Sequence, residues 1–200
     1  MNLPNKLSLA RLCCVPVFMV VLALPAHIMP LWLSGVIGAV IFVAASFTDM
    51  LDGHIARSRG LITDFGKLID PLADKFIVLG ALIMLLYRAQ TPAWRLWLTL
   101  LLTLVLFREL AVTSLRLLVA SKSGVAVPAK MIGKVKTVTQ MVFIAAMLLE
   151  PAVYEAVAPA STVARMLPLS GVMLVLTGVM TVWSGIDYVV SLGKYIDPEK

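Results

Sequence analysis

The sequence predicts an all-α, polytopic membrane protein, a bundle of six transmembrane helices preceded by an interfacial segment, and three observations carry that prediction. Apolar residues make up 60% of the 200-residue chain and charged ones 14%, against about 45–50% and about 25% in soluble domains. The mean hydropathy is +0.98. Long apolar runs alternate with polar or Pro-containing connections, and at about 20 residues per span the length allows roughly six crossings with little left for a separate soluble domain. Residues 1–200 therefore read as one membrane domain.

Taken in order, residues 1–11 place Leu3, Leu7 and Ala10 at helical spacing after Pro4, which predicts an amphipathic segment lying on the membrane surface. Lys6 and Arg11 before an apolar run resemble a signal peptide, but no small-residue cleavage site follows, so the segment is read as retained. A first span covers 12–26, closed by Pro25 and Pro30, and a second covers 31–52. The third begins near Gly66 and ends around Leu86, with Pro71 close enough to its start to be tolerated. The fourth, 93–119, contains Arg108, Glu109 and Arg116, a side too polar for lipid that must face the bundle interior. The fifth ends by Leu149, a polar loop with Pro151 and Pro159 covers 150–165, and the sixth span runs over 166–192. Cys13 and Cys14 are adjacent, cannot readily bridge each other, and read as small hydrophobes.

Orientation follows from counting basic residues. With both termini cytoplasmic, Lys6, Arg11, Arg57, Arg59, Lys67, Lys122, Lys130, Lys134, Lys136, Lys194 and Lys200 lie inside, and only Arg88, Arg95 and Arg165 outside. That asymmetry favours this orientation. It also accounts for most of the net charge of +6.

One stretch, 49–75, DMLDGHIARSRGLITDFGKLIDPLADK, breaks the apolar pattern. It holds Asp49, Asp52, Asp64, Asp70 and Asp74, out of 11 acidic residues in the chain. Carboxylates near lipid are costly to desolvate and persist where a cation or positive partner compensates. Asp49 and Asp52 share one helix face, as do Asp70 and Asp74. A hinge of about ten residues between Arg57 and Lys67 would let two helices oppose the pairs. Four converging carboxylates repel unless a hard divalent cation, Mg²⁺ or Mn²⁺, sits between them. Gly53 and Ala56 leave that helix face bare for a flat ligand, Arg57 offers a planar fork for phosphate oxygens, and Gly66 opens a helix whose N-terminus favours an anion. Asp64 reads as a loop charge or an N-cap. His27 and His54 lack partners at ligand spacing.

The pattern DxxDGxxAR, eight residues, GxxxDxxxD, formed by Asp49, Asp52, Gly53, Ala56, Arg57, Gly66, Asp70 and Asp74, resembles the full signature of the CDP-alcohol phosphatidyltransferases, with no position departing from it. The resemblance implies transfer of a phosphatidyl group from CDP-diacylglycerol to an alcohol, with Asp49, Asp52, Asp70 and Asp74 at the metal and Asp74 as the general base. It implies that Asp52, Gly53, Ala56, Arg57, Thr63 and Gly66 border the CDP-lipid, and that the protein is a homodimer.

The acceptor is read from elsewhere. On this topology Arg108, Arg116, Lys130, Lys134 and Lys136 gather beside the acidic stretch, suiting an acceptor with its own phosphate. The bland readings are an Arg–Glu109 ion pair or a snorkelling helix end for the arginines, and topology-setting charge for the lysines. The segments 107–116, 132–137 and 2–11 look like the branch of the family whose acceptor is sn-glycerol 3-phosphate. Inositol phosphate or phosphatidylglycerol as acceptor are the nearest alternatives. A divalent-cation transporter is the alternative of another class, but it calls for a midplane site and commonly inverted repeats, and no repeat is evident.

Overall fold

The computed structural model describes residues 3–59, 64–123, 130–157 and 168–193; the side chains at 3–4, 49–59, 64–65, 67–68, 70 and 122–123 fall outside that description. The described residues form six helices: α1 Leu3–Ala23, α2 Leu31–Arg59, α3 Asp64–Arg88, α4 Pro92–Ser123, α5 Met131–Val157 and α6 Pro168–Gly193. No strand occurs among them. Five helices are long and apolar enough to cross a membrane, over Asn5–Ala23, Leu31–Thr48, Pro92–Ser121, Met131–Val157 and Pro168–Gly193. The exception, α3, is long enough but carries Asp70, Asp74 and Lys75 in its first half.

The helices run up and down. α1 packs on α2 and α3, α5 on α2 and α6, and α4 on α3 and α6. One end of the bundle therefore collects the N-terminal turns of α1, α3 and α5 with the C-terminal turns of α2, α4 and α6. The core between the two ends holds Val15, Phe18 and Leu22 of α1, Phe42 of α2, Ile77, Ala81 and Leu85 of α3, and Phe143 and Ile144 of α5. The Phe18 and Phe42 rings lie 6.3 Å apart in a tilted pair. Lipid is as apolar as these side chains, so close packing rather than water exclusion holds such helices together. Gly35 illustrates it: a Cβ there would run into the Leu148 carbonyl, so α2 meets α5 backbone to backbone.

Three elements differ from the sequence expectation, besides α2, which runs past Asp52 to Arg59 and leaves residues 60–63 rather than about ten residues between it and α3. No break separates an interfacial segment from the first span, because α1 is continuous from Leu3. Its polar residues Asn5, Ser8 and Arg11 are buried. They continue the inward face of Val15, Phe18 and Leu22 at helical spacing, whereas a helix lying on the membrane turns its polar face outward. Second, α5 does not stop at Leu149 but runs through Pro151 to Val157. The polarity of Glu150, which marks a loop when read locally, serves a tertiary contact: its carboxylate accepts from Leu169 N (3.0 Å), Ser170 N (2.8 Å) and Ser170 Oγ (2.5 Å). The two N–H donors are amides of the first turn of α6, which a helix cannot satisfy for itself. Third, α3 begins at Asp64, so Pro71 lies in its second turn.

Candidate active site

A cavity of about 520 Å³ lies toward the end of the bundle where α2 and α3 are joined, between α3, α4 and α5, with one side chain from α6. Helical periodicity delivers its walls. Asp74, Lys75, Val78 and Leu79 come from α3 at spacings of three and four, Val105, Arg108, Glu109, Val112, Thr113 and Arg116 from α4, and Gly133, Lys134, Lys136, Thr137 and Gln140 from α5. Tyr188 of α6 closes the ring.

The charges are partly spent on one another. Glu109 Oε1 accepts from Arg108 Nη1 at 2.8 Å and from Lys136 Nζ at 2.7 Å. The ion-pair reading of Arg108 thus describes its contact, although it lines the cavity as well. Arg108 Nε also reaches Ser184 Oγ at 3.2 Å, and Lys75 Nζ donates to Thr113 Oγ1 at 2.7 Å. Among the described lining residues, Lys75, Arg108, Arg116, Lys134 and Lys136 outnumber Asp74 and Glu109. Cations in excess around a half-enclosed space attract an anion, and a phosphate best of all.

Tyr188, 2% exposed, organises that excess. The Arg108 and Arg116 guanidinium carbons stand 5.5 and 5.8 Å from its ring centroid and Lys130 Nζ 5.8 Å. Its hydroxyl accepts from the Lys130 backbone N–H at 2.8 Å, fixing the start of α5. A Cβ on Gly133 would lie 3.3 Å from the ring and 3.5 Å from Arg108 Nη2, so α5 and α6 pack closely here. Sequence reasoning missed Tyr188, Glu109 as an organiser, Lys75 and Gln140; only the polar α4 face pointed toward any of them.

The structure brings Asp74, Arg108, Arg116, Lys134 and Lys136 to one cavity. Lys130 stands apart from its lining and pairs with Asp187 Oδ2 at 2.7 Å. Asp49, Asp52, Gly53, Ala56 and Arg57 lie on the last turns of α2, and Asp70 on the second turn of α3. Their side chains, and Thr63 entirely, fall outside the described residues. Gly66, in the first turn of α3, is buried.

Fold and cavity together define the class: a helical membrane protein with a cavity toward one end of its bundle whose described lining carries more cations than anions. The chain belongs to the CDP-alcohol phosphatidyltransferase family, whose sequence model matches residues 1–183. A Bacillus subtilis (strain 168) protein named CDP-diacylglycerol–glycerol-3-phosphate 3-phosphatidyltransferase is 40% identical over 167 residues, 78% of this chain and 81% of the relative. Proteins of the same name from Rickettsia bellii and Salmonella paratyphi A are each 38% identical, over 143 residues (70% and 71% of the two chains) and 156 residues (76% and 80%).

Proposed function

We propose that this chain moves the phosphatidyl group of CDP-diacylglycerol to sn-glycerol 3-phosphate, releasing CMP and forming phosphatidylglycerol phosphate. The observation that carries this reading is the cavity that places Asp74 among Arg108, Arg116, Lys134 and Lys136. An acceptor such as serine, choline or ethanolamine has no use for that positive charge, whereas an acceptor phosphate does. The names of the relatives point the same way.

In this reading the acceptor phosphate binds Arg116 and Lys134, and Lys136 and Arg108 contribute field while holding Glu109. Asp74 accepts the proton of the attacking hydroxyl, whose oxygen bonds to the lipid-side phosphorus as the bond to CMP breaks. Members of the family use a divalent cation. Here Asp49, Asp52, Asp70 and Asp74 would hold it as Mg²⁺ or Mn²⁺, and the helix backbones fit that role. Measured from the helix ends that flank residues 60–63, Asp52 and Asp70 each lie about 10 Å along, and Asp49 and Asp74 about 15 Å along, spacings that suit two facing pairs. When bound, the ion supplies charge neutralisation on pyrophosphate oxygens. Asp52, Gly53, Ala56, Arg57, Thr63 and Gly66 border the CDP-lipid.

The reading includes α3 as the sixth span, with Asp74 and Lys75 facing the cavity rather than lipid. It includes both termini and the site on the cytoplasmic face of a bacterial inner membrane, and a homodimer. The test is CMP release by purified protein from CDP-diacylglycerol with glycerol 3-phosphate, inositol phosphate or serine, with Mg²⁺ or chelator. Release that depends on glycerol 3-phosphate and stops with chelator is the expected result; release driven by serine, or indifferent to chelator, overturns the reading. Cation flux through the protein in liposomes would favour the transporter instead.

A further inference from the structure

The cavity is graded by depth. Toward the end of the bundle lie Arg116 and Lys134, with Lys136 about half a turn deeper than Lys134 and Arg108 and Glu109 about two turns deeper than Arg116; Asp74 stands one turn short of Val78, and Val78, Val105 and Gln140 form the floor. Gln140 is one turn beyond Lys136 on the same face of α5 and is 2% exposed. Its Nε2 has no hydrogen-bond partner among the described residues. A buried amide donor without a partner is costly, and more so at a depth where water is scarce. Leucine or methionine would fill the position without that cost, so a polar donor retained at the floor of a cavity points to an acceptor atom on the ligand.

The chemistry of that atom follows from its surroundings. A neutral amide flanked by Val78 and Val105 cannot balance a dianion, and the phosphate has cations nearer the mouth. What suits the floor is an uncharged oxygen. A phosphorylated triol has one such group to spare, the hydroxyl that neither carries the phosphate nor attacks. We propose that Gln140 Nε2 donates a hydrogen bond to this free hydroxyl, making Gln140 a specificity-determining residue for the acceptor. The assignment rests on the transferase reading above.

The test crosses enzyme and acceptor variants, using sn-glycerol 3-phosphate and 3-hydroxypropyl phosphate, which keeps the phosphate and the attacking hydroxyl but lacks the free one. A site built around a hydroxyl rejects the analogue that lacks it, so wild-type kcat/KM should fall about tenfold on the analogue. Gln140→Met, with similar length and no donor, should shrink that difference to under about threefold and leave KM for CDP-diacylglycerol within about twofold. Its thermal midpoint in detergent should stay level or rise, because the unpaired donor is gone. Full tenfold discrimination in Gln140→Met, or a lowered midpoint with equal losses on both acceptors, overturns the proposal; if that variant fails to fold, Gln140→Leu is read by the same ratio. Wild-type protein that ignores glycerol 3-phosphate but uses another alcohol overturns the transferase reading itself, and this inference with it.

Discussion

The two ends of the bundle use polar residues in opposite ways. At the end holding the α1–α2 and α3–α4 connections, charged side chains are matched to backbone. Glu150 takes the first amides of α6, Arg88 Nη2 donates to the Leu31 carbonyl at 2.7 Å, and Arg95 Nε to the Ala89 carbonyl at 3.1 Å. Glu150 and Arg95 supply partners that a helix terminus lacks, and Arg88 ties the end of α3 to the start of α2. At the other end the charges face a cavity, and cations exceed anions there. The same residue types thus bind backbone groups at one end and line a cation-rich cavity at the other, and the difference lies in whether backbone groups take up the charge.

Substitutions can break that contrast, and the largest effect is expected from Asp74→Asn at the cavity. Loss of a general base costs about 10²–10⁴-fold in rate, so turnover should be all but abolished while CDP-diacylglycerol binding, measured by equilibrium retention in detergent, is largely spared. Retained activity would remove Asp74 from the role of base. Next come Arg116→Ala and Lys134→Ala. A charge-assisted hydrogen bond contributes about 1.5–3 kcal/mol, so KM for glycerol 3-phosphate should rise about ten- to a hundredfold with KM for the lipid little changed. Equal effects on both substrates would dissolve the acceptor site.

At the closed end, Glu150→Ala should lower stability by about 2 kcal/mol, as loss of a buried cap does, read as a lower thermal midpoint. Neither KM should move at a temperature where the variant is folded; a shift in acceptor KM would show the two ends to be coupled. Tyr188 sharpens the view of the open end. Cation–π contacts are worth about 0.5–2 kcal/mol, so Tyr188→Leu should raise acceptor KM several-fold and Tyr188→Phe, which keeps the ring, much less. Phe and Leu behaving alike would shift the role to the hydroxyl on Lys130 N. The smallest effect is expected from Asp187→Asn. Its pair with Lys130 is 36% exposed on both side chains, and such pairs contribute about 0–1 kcal/mol.

Much of the architecture was readable because a membrane imposes its own grammar. Apolar run length locates α4 and α6 to within a few residues, since backbone in lipid must be helical. Errors came where a local signal had a distant cause. Glu150 and Pro151 read as loop because nothing in their own neighbourhood announces that the start of α6, about 20 residues on, lacks partners for its amides. Residues 1–11 read as an interfacial segment from the spacing of Leu3, Leu7 and Ala10, because the burial of Asn5, Ser8 and Arg11 depends on what α1 packs against. At the site, the acidic signature and the basic residues of α4 and α5 stood out as types. Their division of labour did not: Lys136 and Arg108 hold Glu109, and Lys130 turns to Asp187.

By itself the sequence determined the helical membrane class and the family, because hydropathy and the spacing of carboxylates and glycines are local properties that survive without coordinates. Only the tertiary structure decided which cations face open space, what Tyr188 gathers, and that Gln140 keeps an unpaired donor at the cavity floor. Those facts depend on crossings between helices 30 to 80 residues apart, and the energy of a charge or an amide is set by the atoms brought against it, not by its neighbours in the chain.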